Sequence, residues 1–283
     1  MGVKVKKVII QKLGVAFFFL IKPLASAIAT TALGGLLSLW GIRPSLAGGF
    51  TQPDDFTFSS FSFSTFDSGN FHKEEIQFYL EYGLQDYLTL IFKSPYTWSE
   101  ESGDNNQGFS PQEIGLRWRF NRDPVWATAI QGNLIIPLGY DADEDPSGAG
   151  NQVVGVEMSL PISRGFQLSK QRFGYGTLEV GYRDYLGSAS DELRLTGEVS
   201  VDVARRFAIA TQFYGIYRLQ ETENEDFSKL GGQVRWGAND NLTLVVGGFK
   251  NLTEVGGSFE AQLWYTFGSR SSKPAPPTEP KTP

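Results

Sequence analysis

The stretch Glu81 to Tyr96, EYGLQDYLTLIFKSPY, alternates polar and apolar residues, breaks at Gln85-Asp86, and then alternates again. Period-two alternation on both sides of a two-residue break is the pattern of an antiparallel hairpin with one apolar face. That face could meet the core of a soluble sandwich or the hydrocarbon of a bilayer. The hairpin alone does not choose between these solvents; the rest of the chain does.

The totals set bounds. The 283 residues are 41% apolar, 14% aromatic and 20% charged, with 32 Gly and 14 Pro, so the chain is neither disordered throughout nor collagen-like. There is no Cys, which excludes disulfides, thiolate metal sites and thiol nucleophiles. The formal net charge is −6, but Lys4, Lys6, Lys7, Lys12, Lys22 and Arg43 all precede residue 48, where no Asp or Glu occurs; the remainder carries 19 basic and 31 acidic residues, a net −12. So acidic a body argues against a nucleic-acid partner.

Residues 1–47 read as an export signal: a basic start, an apolar body, and the small-x-small end Ser45-Leu46-Ala47, with cleavage expected after Ala47. The rival is an uncleaved anchor from about Leu24 to Trp40. After residue 47 no apolar run reaches spanning-helix length, so a membrane-embedded mature chain must cross as strands.

Residues 48–267 divide into about twelve period-two segments, most near the length of about 9–11 residues that a tilted spanning strand needs. Their spans are 55–66, 72–84, 87–96, 110–120, 125–138, 151–162, 174–185, 191–202, 207–218, 228–237, 241–250 and 256–267. Every second connection is short (Gln85-Asp86, Asn121 to Pro124, Ala204 to Arg206, Ala238 to Asp240), with 163–173 the exception. The polar stretches 97–109, 139–150 and 219–227 lie between them. Short turns at one end and long loops at the other predict an outer-membrane barrel with its short turns in the periplasm.

Aromatic residues test this independently, because Trp and Tyr gather at bilayer interfaces. On the apolar face Tyr82, Trp118, Phe120, Trp126, Trp236, Tyr265 and Phe267 fall beside the short turns, and Tyr140, Tyr182 and Tyr217 at the opposite ends. The other face carries Glu81, Lys93, Arg117, Arg119, Glu157, Glu179, Arg183, Arg194, Glu198, Arg235 and Glu260, together with Glu75, Gln131, Asn133 and Glu192. A dry core could not hold these charges, since each unpaired buried ion costs several kcal/mol. They are the expected pore lining. Ile91, Ile216, Phe249 and Trp264 also fall inward, which means either a partly apolar lumen or a register slip.

The final segment ends Leu263-x-Tyr265-x-Phe267, which resembles the C-terminal signal of outer-membrane barrels. Here the chain continues to Pro283 through a Ser, Lys and Pro-rich stretch, 268–283, that reads as a disordered periplasmic tail. The ten residues Glu81 to Leu90, EYGLQDYLTL, resemble a hairpin of the phenol-degradation MetA-type transporter family. That resemblance implies a twelve-stranded barrel and transport across the outer membrane, and the family is similar to channels proposed for small hydrophobic or aromatic compounds.

Enzymatic chemistry has little to work with. His72 is the sole histidine and has no Ser-containing motif beside it, so the chain reads as a non-enzyme. Asp141, Asp143, Glu144 and Asp145 open like a calcium loop, but position 146 is Pro and position 152 is Gln, so they read as a solvated acidic loop. No metal or cofactor is expected.

The sequence therefore predicts an all-β chain: a transmembrane antiparallel up-and-down barrel in the cell outer membrane, passing small solutes through a narrow charged lumen. Its partners would be outer-membrane lipid, a small-molecule solute and further copies of itself. Two other readings stay open: an uptake barrel for small apolar compounds, and a non-conducting docking barrel.

Overall fold

A computed structural model describes residues 48–68, 71–101, 104–139, 153–169, 172–187, 190–220, 226–253 and 255–268. The expected export signal, Tyr140, the acidic loop at 141–145 and the tail beyond Gly268 lie outside the described residues.

Twelve strands follow one another: β1 Phe56–Ser68, β2 Phe71–Gln85, β3 Leu88–Glu101, β4 Asp104–Arg119, β5 Trp126–Leu138, β6 Gly155–Ser169, β7 Arg172–Tyr185, β8 Glu192–Ala204, β9 Phe207–Arg218, β10 Phe227–Gly237, β11 Leu242–Asn251 and β12 Gly256–Gly268. Each pairs antiparallel with its sequence neighbours, and β12 closes onto β1 from Phe56 opposite Gly268 to Ser68 opposite Gly256. Closure is what lipid demands, because a free strand edge there would leave N–H and C=O groups without water.

The alternation sorts side chains as the sequence predicts. In β4, Ile114, Leu116 and Trp118 are exposed on the outer face while Arg117 is buried inside; in β6, Val156, Met158 and Leu160 are exposed around buried Glu157 and Ser159. Trp118, Phe120, Trp236, Tyr265 and Phe267 stand exposed at the short-turn end, and Tyr182 at the other. Exposed apolar surface of this extent fits hydrocarbon and not water.

Two expectations change at the ends. The stretch 97–109, expected as a loop, is largely strand: β3 runs to Glu101, β4 starts at Asp104, and Thr97 to Glu101 pair with Gly108 to Asp104. Likewise 163–173, the one long connection at the short-turn end, is mostly the extended ends of β6 and β7, paired through Gln167 opposite Phe173. Both stretches are polar because the hairpins project past the hydrocarbon into water, where ladder pairing continues without needing an apolar face. The exception to the short-turn pattern disappears.

Ile91, Ile216, Phe249 and Trp264 do point inward, and all but Trp264 are buried, so the register does not slip. Ile216 joins Phe66, Phe71 and Phe227 in one apolar cluster inside the lumen, with Tyr214 packed against it. Phe66 and Phe227 meet edge-to-face at 5.5 Å although their strands are three apart around the wall.

The outer face makes a direct prediction. Val180→Arg, which puts a cation on the exposed face of β7, should cost about 1–4 kcal/mol depending on its depth in the bilayer. Urea titration of the barrel refolded into vesicles, followed by tryptophan emission, would measure this, and Val180→Leu should cost little.

Candidate functional site

The site is the lumen, and its first component precedes the barrel wall. Residues 48–55 do not hang from β1; they fold back inside as a strap. The turn that sends them there is closed by the Phe56 amide donating to the Pro53 carbonyl at 3.0 Å, with Asp55 left-handed at φ 57°. Asp55 is then held by Tyr82, whose hydroxyl donates to its carboxylate at 2.8 Å.

Beyond the turn the strap meets β2 and β3. The Asp54 amide donates to Asp86 Oδ1 at 3.1 Å, and Thr51 Oγ1 to the Asp86 carbonyl at 2.6 Å. The Gln52 amide donates to Thr89 Oγ1 at 2.8 Å, while its side-chain amide donates to Glu81 Oε2 at 2.6 Å. Pro53 passes so close to Gly83 that a Cβ there would fall 1.8 Å from the Pro53 carbonyl oxygen. Further along, Phe50 is buried, its carbonyl accepts from Arg117 at 3.2 Å, and Arg119 stacks over its ring at 5.2 Å. The Gly49 amide reaches Ser163 Oγ on β6 at 2.8 Å, and Gly48 abuts Thr177 on β7, the wall opposite β1.

Above the strap the inward charges form a continuous network. Arg117 pairs with Glu81 at 2.9 Å and donates to Gln131 at 2.8 Å; Gln131 leads through Asn133 to Glu157. Arg183 bridges Glu157 at 2.8 Å and Glu113 at 2.9 Å, and Lys93 lies 3.4 Å from the latter. Arg194 pairs with Glu192 at 2.7 Å, lies 3.7 Å from Glu157, and donates to the Tyr214 hydroxyl. A chain of polar contacts thus runs from the strap on the β2 side as far as β9. Pairing of this kind is how buried charges remain ionised without prohibitive cost.

A second knot stands apart. Arg235 pairs with Glu198 at 2.8 Å, and Tyr175 and Gln212 also bond to that carboxylate; the Arg235 guanidinium lies 4.7 Å from the Trp264 ring. Gln233 links this knot to Glu260 at 3.3 Å.

All eleven charges read from the sequence point inward, but the structure gathers them unequally. Glu81, Lys93, Arg117, Glu157, Arg183 and Arg194 belong to the first network, and Glu198 and Arg235 to the second. Arg119 is turned to the mouth, tied to Asn121 and the Trp126 carbonyl. Glu179 and Glu260 have no basic side chain within 4.0 Å among the described residues. Sequence reading missed the strap and the bridging role of Glu113. A signal for the strap exists: the EYGLQD segment supplies Glu81, Tyr82, Gly83 and Asp86, and each of the four touches it.

His72 sits at the far end of the β1–β2 hairpin from the strap. Its Nδ1 lies 2.6 Å from Asp67 and its Nε2 3.8 Å from Glu74, on the outer, solvent-exposed end of the β1–β2 hairpin.

No family model matches the sequence, and no curated protein does. Solved structures share the fold. The COG4313 outer membrane channel from Pseudomonas putida F1 aligns with a TM-score of 0.54 at 14% identity, over 80% of this chain and all of that one. The NanC porin aligns at 0.50 and 7% identity, over 73% of this chain and 98% of its own. The chain has the fold of an outer-membrane β-barrel. At these identities the likeness concerns the fold alone.

Breaking the first network at its most buried pair tests its role. Glu81 is 2% exposed, so Arg117→Met, which leaves its carboxylate unpaired, should lower barrel stability by about 3–5 kcal/mol. Adding Glu81→Gln should recover much of that loss, read as the urea midpoint of the double variant against the single one.

Proposed function

We propose that this protein is an outer-membrane channel for small solutes, its bore narrowed from within by the strap and the ion-pair network. The observation that carries this reading is the inner wall: a closed barrel, apolar outside, whose inward positions hold paired charges, amides and serines. Such a lining suits a wet lumen, and twelve strands lie between barrels filled by their own side chains and open sixteen-stranded porins. The fold shared with the Pseudomonas putida channel supports it. So does the MetA-type resemblance of Glu81 to Leu90, since those residues hold the strap in place here.

In this reading the locked charges shape the bore: Arg117, Glu81, Glu157, Arg183 and Arg194 are fixed by one another, and Phe50 and Gln52 fill space beside them. The apolar cluster of Phe66, Phe71, Ile216 and Phe227 favours a second reading, passage of small apolar compounds through the same lumen.

Removal of the strap tests the channel reading. In planar bilayers the folded barrel should give small, stable conductance steps. Deleting residues 48–54, or substituting Gly83→Ala to drive Pro53 away, should enlarge those steps several-fold. Identical steps with and without the strap would show that it does not narrow the path.

A further inference from the structure

The strap starts on a patch of the inner wall that its first two residues fit closely. Ser163 on β6 stands opposite Thr177 on β7, and Pro161, the next inward residue of β6, stands opposite Glu179. Gly48 and Gly49 lie against three of these four. The Gly49 amide donates to Ser163 Oγ at 2.8 Å, and Ser163 shares a 2.8 Å hydrogen bond with Thr177. A Cβ on Gly49 would fall 2.5 Å from the Ala127 carbonyl oxygen and 2.9 Å from that of Pro161; a Cβ on Gly48 would fall 2.1 Å from Thr177 Cγ2. Gly48 is also left-handed, at φ 66°. Glycine alone suits both positions, so the strap starts in a fixed place against β5, β6 and β7.

The fourth residue of the patch is Glu179. It points inward between exposed Leu178 and Val180, and no basic side chain lies within 4.0 Å of it among the described residues. Arg117 is the basic group whose charge reaches it, but Arg117 is already committed to Glu81, Gln131 and the Phe50 carbonyl. Glu157 and Glu81 add negative charge on the same side. The other carboxylate beside the patch, Glu198 opposite Thr177 on β8, is bonded by Arg235, Tyr175 and Gln212. A carboxylate held in so confined a place calls for a cation of its own.

The export-signal reading of residues 1–47 supplies one. Cleavage after Ala47 turns the Gly48 nitrogen from a neutral amide into a terminal amine, whose ordinary pKa of about 7.7–8.0 leaves it mostly protonated at neutral pH. We propose that this new ammonium seats on the β6–β7 patch and pairs with Glu179, so that removal of the leader is the step that locks the strap into the lumen. A chain still joined to its leader has a neutral amide at that place and gains nothing from Glu179. The inference goes beyond the channel reading and stands apart from it, since a strap can be locked into a barrel that conducts or into one that does not.

The test uses the full chain expressed for export, with the barrel recovered folded from outer membranes and the folding of each variant checked by heat-dependent gel mobility. Amines are methylated with formaldehyde and cyanoborohydride, in the folded barrel and in urea, and mass spectrometry of the N-terminal peptide reports both where the chain starts and how fast its amine reacts. The chain should begin at Gly48, and its amine should react on the order of tenfold more slowly in the folded barrel than in urea. Glu179→Gln should bring the folded rate close to the rate in urea. Glu198→Gln, which removes the neighbouring carboxylate, should leave it slow. A chain that begins elsewhere, an amine that reacts as fast folded as unfolded, or slow methylation that Glu179→Gln leaves unchanged would each overturn the proposal. The first two are read on the wild-type barrel, so the proposal can fail whether or not a variant folds. Conductance of the same preparations bears on the channel reading alone.

Discussion

A bilayer offers no hydrogen-bond partner to a peptide group, and every other feature of this protein depends on that constraint. It requires β12 to close onto β1, which leaves the barrel with two faces in two solvents. The outer one has to be apolar; the inner one is free to carry charge. Twelve strands then give an interior too wide for wall side chains alone to fill, so the chain fills part of it with its own strap.

The strap explains why the EYGLQD hairpin has its particular residues. Glu81 receives Gln52 and Arg117, Tyr82 holds Asp55, Asp86 caps the incoming backbone, and Gly83 leaves room for Pro53. What looks in sequence like one of five short-turn hairpins is the seat of the segment that narrows the lumen. Arg117 joins that seat to the cross-lumen network, so the position of the strap and the pairing of the charges are one problem with one solution.

Most of the wall was legible in the sequence, since a period-two pattern fixes which residue faces which solvent. Glu113 to Phe120 and Glu192 to Val199 needed no further information; Ile216 turned out to belong to an apolar part of the lumen, and Ile91 is buried inward without a slipped register. Strand ends were harder: Thr97 to Phe109 and Ser163 to Phe173 stay paired beyond the membrane, where composition no longer alternates. Contacts across the lumen could not be read at all. Arg183 meets Glu113 three strands away, and Gly49 meets Ser163 at a separation of 114 residues, distances that no local pattern encodes.

The most direct test of this account is amide hydrogen exchange, by nuclear magnetic resonance, on the folded barrel at Gly49 and Gln52. Both amides donate to hydroxyls on the inner wall, Ser163 and Thr89, so they should exchange as slowly as the amides of the neighbouring strands. Exchange at free-chain rates, with the strands protected, would mean that the strap lies outside the lumen and that the bore is shaped by the wall alone.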